Sequence, residues 1–229
     1  MAWLGRAISI VEDRNPLRTG LLKRLYSIKP TSHLIGVTGS QGAGKSTLIA
    51  SLAKKIRSHR KTVAVIAVDP TSPKSGGAFL GDRIRMQALA EDPGVFIRSM
   101  ASRGATGGVA AATKDAAFIC SKAGFDFVLI ETVGAGQLDY EVTKFVDLTL
   151  LVLTPEAGDE MQFMKAGLRE LADVLVLNKS DRPGAKQMED FLKQAAKGGP
   201  VFKTVAEQGI GITELYRYIT TLHHGKKRN

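Results

Sequence analysis

Residues 39 to 46 read GSQGAGKS, the spacing G-x-x-x-x-G-K-S, and that spacing suits a phosphate chain. The glycines let the backbone curl until successive N–H groups point inward at phosphate oxygens. The start of the helix that follows adds its dipole to the pull on an anion. Lys45 supplies a point charge to the β- and γ-phosphates, and the Ser46 hydroxyl offers an oxygen to magnesium. The predicted phosphate cradle is Gly39, Ser40, Gln41, Gly42, Ala43, Gly44, Lys45, Ser46 and Thr47. A plain glycine-rich turn is the bland alternative. The apolar run HLIGVT before the loop and the helical pattern after it argue against that.

Magnesium takes oxygen ligands, few of them from protein. Three carboxylates stand where apolar runs or their loops end: Asp69 closes TVAVIAVD, Asp82 lies in GDRIRM, and Glu131 closes FDFVLIE. A carboxylate at the carboxyl end of a parallel strand, next to a phosphate loop, lies on the ligand-binding edge. Ser46, Asp69, Asp82 and Glu131 are therefore the predicted magnesium set. Asp69, just before Pro70, could instead cap a turn, and Asp82 a helix.

The stretch LVLNKSD places Asn178, Lys179 and Asp181 directly after a further apolar run. An aspartate there can accept two hydrogen bonds, from guanine N1–H and from its exocyclic amino group. Adenine offers no such donor pair, and a buried carboxylate left unpaired costs roughly 1–3 kcal/mol. The Lys179 stem can pack on the base and Asn178 can brace the loop. Backbone N–H groups near Thr204, Val205 and Ala206 are expected to meet the guanine O6. The predicted ligands are thus GTP or GDP with Mg2+.

Positioning these groups requires a sheet. The runs HLIGVT, TVAVIAVD, FDFVLIE, DLTLLVL, DVLVLN and PVFKT are nearly continuous in Val, Ile and Leu, as strands buried on both faces of a parallel sheet are. Between them STLIASLAKKIRSHR, TGGVAAATKDAAFICSKAG, EMQFMKAGLRELA and AKQMEDFLKQAAKG repeat apolar residues at three and four and read as helices. The fold expected is α/β, a P-loop NTPase with a doubly wound, mostly parallel sheet and helices on both faces. Residues 1–30 read as a short helical extension broken near Asn15-Pro16, and 31–229 as the GTPase domain.

Bulk properties narrow the class. At 229 residues the chain suits one medium domain, and the single Cys120 excludes an internal disulfide and any CxxC metal site. No basic start with a cleavable apolar core stands at Met1, and no apolar run reaches the roughly 18 residues of a membrane helix. A cytoplasmic setting without membrane contact is expected. The net charge of +10 is dispersed apart from KKIRSHRK and the terminal HHGKKRN, and neither run has the interleaved aromatics of a single-strand binder.

Longer strings go further. VDPTSPKSGGAFLGDRIRM, FIRSMASRGATGGVA, ETVGAGQ, GDEMQFMKAG and NKSD make the chain resemble the methylmalonyl-CoA-mutase-associated GTPases of the MeaB/ArgK type. That resemblance runs from RAISIVEDRNP to GIGITELY. It implies a metallochaperone whose nucleotide state gates cofactor loading or protection in a cobalamin-dependent acyl-CoA mutase, acting on the mutase or its cobalamin-binding subunit. It also implies Asp69, Asp82 and Glu131 at the magnesium, Arg85 at the nucleotide, and ETVGAGQ as a switch with Glu131 in place of the usual aspartate. GDEMQFMKAG resembles a further switch in which Asp159, Gln162 and Lys165 couple nucleotide to mutase, and Lys45, Glu131 and Lys165 are the implied catalytic groups. No Gln follows Gly134 to orient water, so slow intrinsic hydrolysis is expected, with Gln137 nearby.

Three departures stand out. Pro155-Glu156 replaces the family's Pro-Gly, and Thr204-Val205-Ala206 its Thr-Ser-Ala. The chain ends at Asn229, where longer members continue into a helical arm that forms a homodimer, so that arm is expected to be missing. Two other functions fit the motifs: a nucleic-acid- or ribosome-linked regulatory GTPase, for which only the charge speaks, and a nickel-insertion-type GTPase, for which Cys and His ligands are scarce.

Overall fold

Six of the apolar runs become the strands of one seven-stranded sheet in a computed structural model describing residues 2–13, 15–27, 31–69, 86–101, 106–132, 137–157, 172–196 and 198–223. In chain order the described elements are α1 (Ala2–Glu12), α2 (Arg18–Tyr26), β1 (His33–Thr38), α3 (Lys45–Ser58), β2 (Val63–Asp69), α4 (Gln87–Ala90), β3 (Val95–Ala101) and α5 (Thr106–Lys122). There follow β4 (Phe127–Glu131), α6 (Gln137–Thr143), β5 (Leu148–Leu153), β6 (Val174–Leu177), α7 (Ala185–Ala195), β7 (Val201–Lys203) and α8 (Ile212–His223). The strand order is β3-β2-β4-β1-β5-β6-β7, and every pairing is parallel. The predicted helix over EMQFMKAGLRELA lies outside the described residues.

Period-two alternation sorts the strand side chains onto two faces. Ile35, Val37, Val63, Val65, Leu129, Leu150, Val152 and Val176 point to one side, where Leu48, Leu52 and Ile56 of α3 and Leu215 and Ile219 of α8 meet them. Leu34, Ala64, Ile66, Val128 and Ile130 point to the other, under α1, α5 and α6. Leu151, Leu153, Leu175 and Leu177 continue that second face under Met188 and Leu192 of α7. Both faces being covered is why these strands read as unbroken apolar runs.

The strand absent from the sequence expectation is β3. It sits at the sheet edge with four residues only half-buried, so its run, VFIRSMA, is broken by polar positions. Arg98 there reaches α1, pairing with Glu12 at 2.6 Å and donating to Ser9 Oγ at 3.1 Å. Leu4, Ile8 and Val11 of α1 belong to the second-face core. In contrast α2 buries no residue fully; Leu21, Leu22 and Leu25 lie partly buried against the same core, and polar contacts add to their hold. The buried Asp115 on α5 accepts from Arg18 and from the Tyr26 hydroxyl, each at 2.7 Å, and Tyr26 stacks on Phe118. Burial, with the Asp115 bond second, pushes the Tyr26 hydroxyl pKa above its usual range. Cys120 is fully buried among these helices, and desolvation pushes its thiol up to about 12, so it is a core side chain rather than a reactive one.

The basic run at the end of α3 is partly neutralised. Arg57 pairs with Asp92 at 2.9 Å, Lys61 with Asp126 at 2.9 Å, and His59 stacks on Tyr216. Among the described residues no helix is long and apolar enough to cross a membrane.

Ile8→Ala tests whether α1 is integral to the sheet's core. The side chain is fully buried, so its truncation should lower stability by about 2–5 kcal/mol in urea unfolding. A midpoint within error of the parent would show that α1 is a detachable appendage.

Candidate functional site

The sheet delivers its candidate groups along one edge. β1 ends at Thr38, β4 at Glu131, β5 at Leu153, β6 at Leu177 and β7 at Lys203, all running in the same direction. Their carboxyl ends therefore open onto a common border, where open parallel sheets hold ligands.

The loop after β1 can turn as it does because two glycines occupy positions closed to other residues. Gly39 has φ 140°, and a Cβ there would lie 2.1 Å from the Val152 carbonyl oxygen. Gly44, at φ 90°, caps α3, and its Cβ would lie 2.4 Å from Asn178 Nδ2. Lys45 opens α3 almost wholly buried, and its ammonium donates to the carbonyls of Gly39 at 2.7 Å and Ser40 at 3.0 Å. The charge is thus folded back onto carbonyls of the loop itself. Ala43 is buried, Gln41 and Gly42 are exposed, and Thr47 is half-buried on the first turn of α3.

Ser46 and Glu131 meet at the foot of this loop. The Ser46 hydroxyl donates to Glu131 Oε1 at 2.7 Å, with both residues buried. Strand register explains the meeting, for Glu131 aligns with Val37 of β1 and with Ala67 of β2. Asp69 ends β2 two residues beyond that point and aligns with Ala101. Its side chain lies outside the described residues, as do Asp82, Arg85, Asp159, Gln162 and Lys165 and the side chain of Gln137.

The second loop begins where β6 ends. Asn178 is 2% exposed, and its carboxamide reaches two other segments. Nδ2 donates to the Ala43 carbonyl at 3.0 Å, while Oδ1 accepts from the Thr204 hydroxyl at 3.0 Å and from Ala206 N–H at 3.1 Å. Lys179 takes a left-handed backbone (φ 55°), and its ammonium donates to the Gly42 carbonyl at 2.7 Å, laying the stem across from one loop to the other. A tight turn closes from Arg182 N–H to the Lys179 carbonyl at 3.0 Å, and Asp181 within it is exposed.

The loop after β7 holds the three residues expected beside the guanine O6. Thr204, Val205 and Ala206 do sit beside Asn178, but their N–H groups are already donated to the Leu177 carbonyl, the Ile210 carbonyl and Asn178 Oδ1. The Thr204 bond extends the β6–β7 ladder, and the Val205 bond closes a small bridge to Ile210. The Ala206 N–H can be shared between Asn178 Oδ1 and a further acceptor, as three-centre bonds do.

One pair went unread in the sequence. Glu156, after β5, bonds Arg182 at 2.9 Å, directly beside Asp181. The Arg182 hydrogen bond, the larger cause, together with backbone help holds the Glu156 carboxyl down at about 2. A lone acid in one loop and a base in another, 26 positions apart, carry no periodic pattern. Only the basic residue following N-K-x-D could have hinted at a partner.

Three kinds of likeness bear on this geometry. Residues 4–228 match the family model described as methylmalonyl Co-A mutase-associated GTPase MeaB. A Pyrococcus horikoshii protein named as a GTPase is 44% identical over 228 residues, covering 94% of this chain and 72% of its own. The fused isobutyryl-CoA mutase of Paraburkholderia xenovorans is 40% identical over 205 residues, which is 81% of this chain and 16% of that one. Among solved structures, an LAO/AO transport system kinase superposes with a TM-score of 0.79 at 29% identity, covering 97% of this chain and 70% of that one. The nickel complex of HypB from Helicobacter pylori superposes with a TM-score of 0.64 at 16% identity, over 94% and 99% of the two chains, and shows a shared fold alone.

Asn178→Ala removes three buried hydrogen bonds at once. It should lower stability by about 1–3 kcal/mol and weaken GDP at least about tenfold, read by thermal unfolding and by titration with a fluorescent GDP. Parent-like values in both would show that the carboxamide does not join the loops.

Proposed function

The chain belongs to the methylmalonyl-CoA mutase-associated GTPase family, and on that footing we propose that its hydrolysis of GTP serves a cobalamin-dependent acyl-CoA mutase. The chain is a GTPase, in line with its relatives. The observation supporting the mutase as partner is the 205-residue likeness within a polypeptide named as a fused isobutyryl-CoA mutase. There a GTPase of the same kind shares a chain with a mutase.

The residues suit the chemistry in a definite division of labour. On binding, the N–H groups from Gly39 to Thr47 surround the phosphates. The Lys45 ammonium trades the Gly39 and Ser40 carbonyls for β- and γ-oxygens, meeting charge that grows between them during transfer. Asp181 accepts from the guanine N1–H and amino group, and the Lys179 stem lies alongside the base. Asn178 touches no nucleotide in this scheme; it holds the phosphate loop and the Thr204–Ala206 segment at a fixed spacing.

Mg2+ fits the site because Ser46 and Glu131 form a buried hydroxyl–carboxylate pair of hard oxygen donors. Ser46 and Glu131, with Asp69 and Asp82, are the proposed ligands. When bound, the ion supplies positive charge shared between the phosphate oxygens. Arg85 is proposed as a nucleotide contact and Lys165 as a catalytic group brought in with the partner. GTP and GDP would favour different arrangements of ETVGAGQ and of the segment holding Asp159, Gln162 and Lys165, and the mutase would read that difference as binding energy. The output gates cofactor loading or protection, in the cytoplasm.

GTP turnover measured with and without purified acyl-CoA mutases tests this. A cognate mutase should raise turnover at least about tenfold, and Lys45→Ala should remove about a hundredfold or more of the stimulated rate. No response to any methylmalonyl-, isobutyryl- or ethylmalonyl-CoA mutase would remove the mutase partner. Stimulation by RNA instead would favour the nucleic-acid-linked reading.

A further inference from the structure

Asp181, the proposed guanine reader, has a cation as its chain neighbour. Arg182 has enough reach to fold back onto that carboxylate, and doing so would occupy the acceptor oxygens that guanine needs. In the structure it does something else. Its guanidinium turns to Glu156 and donates Nη1–H to Oε1 at 2.9 Å. Two backbone features keep Glu156 in place to receive it. Asn178 N–H donates to the Leu153 carbonyl at 2.8 Å, fixing the end of β6 against the end of β5. Pro155 lies close enough to Gly184 that a side chain there would touch it at 3.8 Å. The two loops are thus docked side by side, with the acid on one and the base on the other.

We propose that Glu156 is a positioning residue for base recognition: it holds the Arg182 guanidinium away from Asp181 and so keeps that carboxylate open to the guanine edge. This rests on the reading of Asp181 as the base acceptor. Electrostatics is consistent with a shared cation. The Glu156 hydrogen bond raises the Arg182 pKa, the Glu156 and then the Asp181 charges add to it, and only desolvation opposes. Arg182 therefore stands in the field of two carboxylates, one of which has captured it. Both partners of the pair are about half exposed, 48% and 53%, so the bond itself contributes little to stability. Its role is to decide which carboxylate the cation occupies, a matter of specificity in which an unwanted contact is removed.

The test is a double-mutant cycle on the full 229-residue chain, read as GDP affinity with Mg2+ present and with the thermal midpoint as control. Glu156→Gln should weaken GDP about two- to fivefold, the range of an exposed ion pair, with the midpoint nearly unmoved. Arg182→Met should bind GDP at least as tightly as the parent. The double variant should match Arg182→Met, because without the guanidinium there is nothing for Glu156 to restrain. That rescue separates the proposal from a merely structural effect of Glu156, which would persist in the double variant. Unchanged affinity in Glu156→Gln, or an undiminished loss in the double variant, overturns the proposal. Asp181→Asn, titrated with GDP and with xanthosine diphosphate, isolates the premise. If it loses GDP and gains xanthosine diphosphate while Glu156→Gln behaves as the parent, the base reading stands and the positioning role falls. If Asp181→Asn binds GDP unchanged, both fall.

Discussion

The site depends on one side chain that sits beneath the ligand-binding edge. Asn178 ends β6 with its carboxamide buried, where an unsatisfied donor or acceptor would be costly. It is satisfied by the carbonyl of Ala43 on one side and by Thr204 and Ala206 on the other. Three segments far apart in sequence are thereby set at fixed spacing. Its contact with Gly44 also explains why that position can carry no Cβ: the carboxamide occupies the space a side chain would need. Lys179 repeats the link at the surface through Gly42. A nucleotide spanning phosphate and base ends needs that spacing set before it arrives, since rigid placement reduces the entropy lost on binding.

The sheet supplies what Asn178 joins. All seven strands run the same way, so the ends of β1, β4, β5, β6 and β7 share an edge. Register then decides details: Glu131 reaches Ser46 because β4 aligns with β1 so that Glu131 stands beside Val37. The helices on both faces make the strands long-lived enough to hold such spacing, and α1 contributes to that cover through Leu4, Ile8 and Val11. Charge is arranged rather than accumulated. Lys45 is parked on carbonyls, Arg182 on Glu156, and the surface run around Arg57 and Lys61 on aspartates.

Much of this was legible because it is local or periodic. The phosphate loop is a contiguous spacing, and buried parallel strands announce themselves as apolar runs. The edge strand β3 did not, because half of its surroundings are solvent and Arg98 is recruited by α1. The role of Asn178 as a brace could be read, but its partners Ala43 and Ala206 could not, since they come from other strands' loops. For the same reason the partners of the Thr204–Ala206 donors, the Leu177 and Ile210 carbonyls and Asn178, are not visible in the sequence. Long-range pairs such as Glu156 with Arg182 or Asp115 with Tyr26 leave no trace in spacing at all.

The measurement that bears most directly on this account is amide hydrogen exchange with inorganic pyrophosphate and Mg2+ as the only ligands. Pyrophosphate can touch the Gly39–Thr47 loop and has no base. If Asn178 makes the two loops one unit, exchange should slow at Gly39–Thr47 and also at Asn178–Asp181 and Thr204–Ala206. Protection confined to Gly39–Thr47, with the base-side segments exchanging as before, would contradict it.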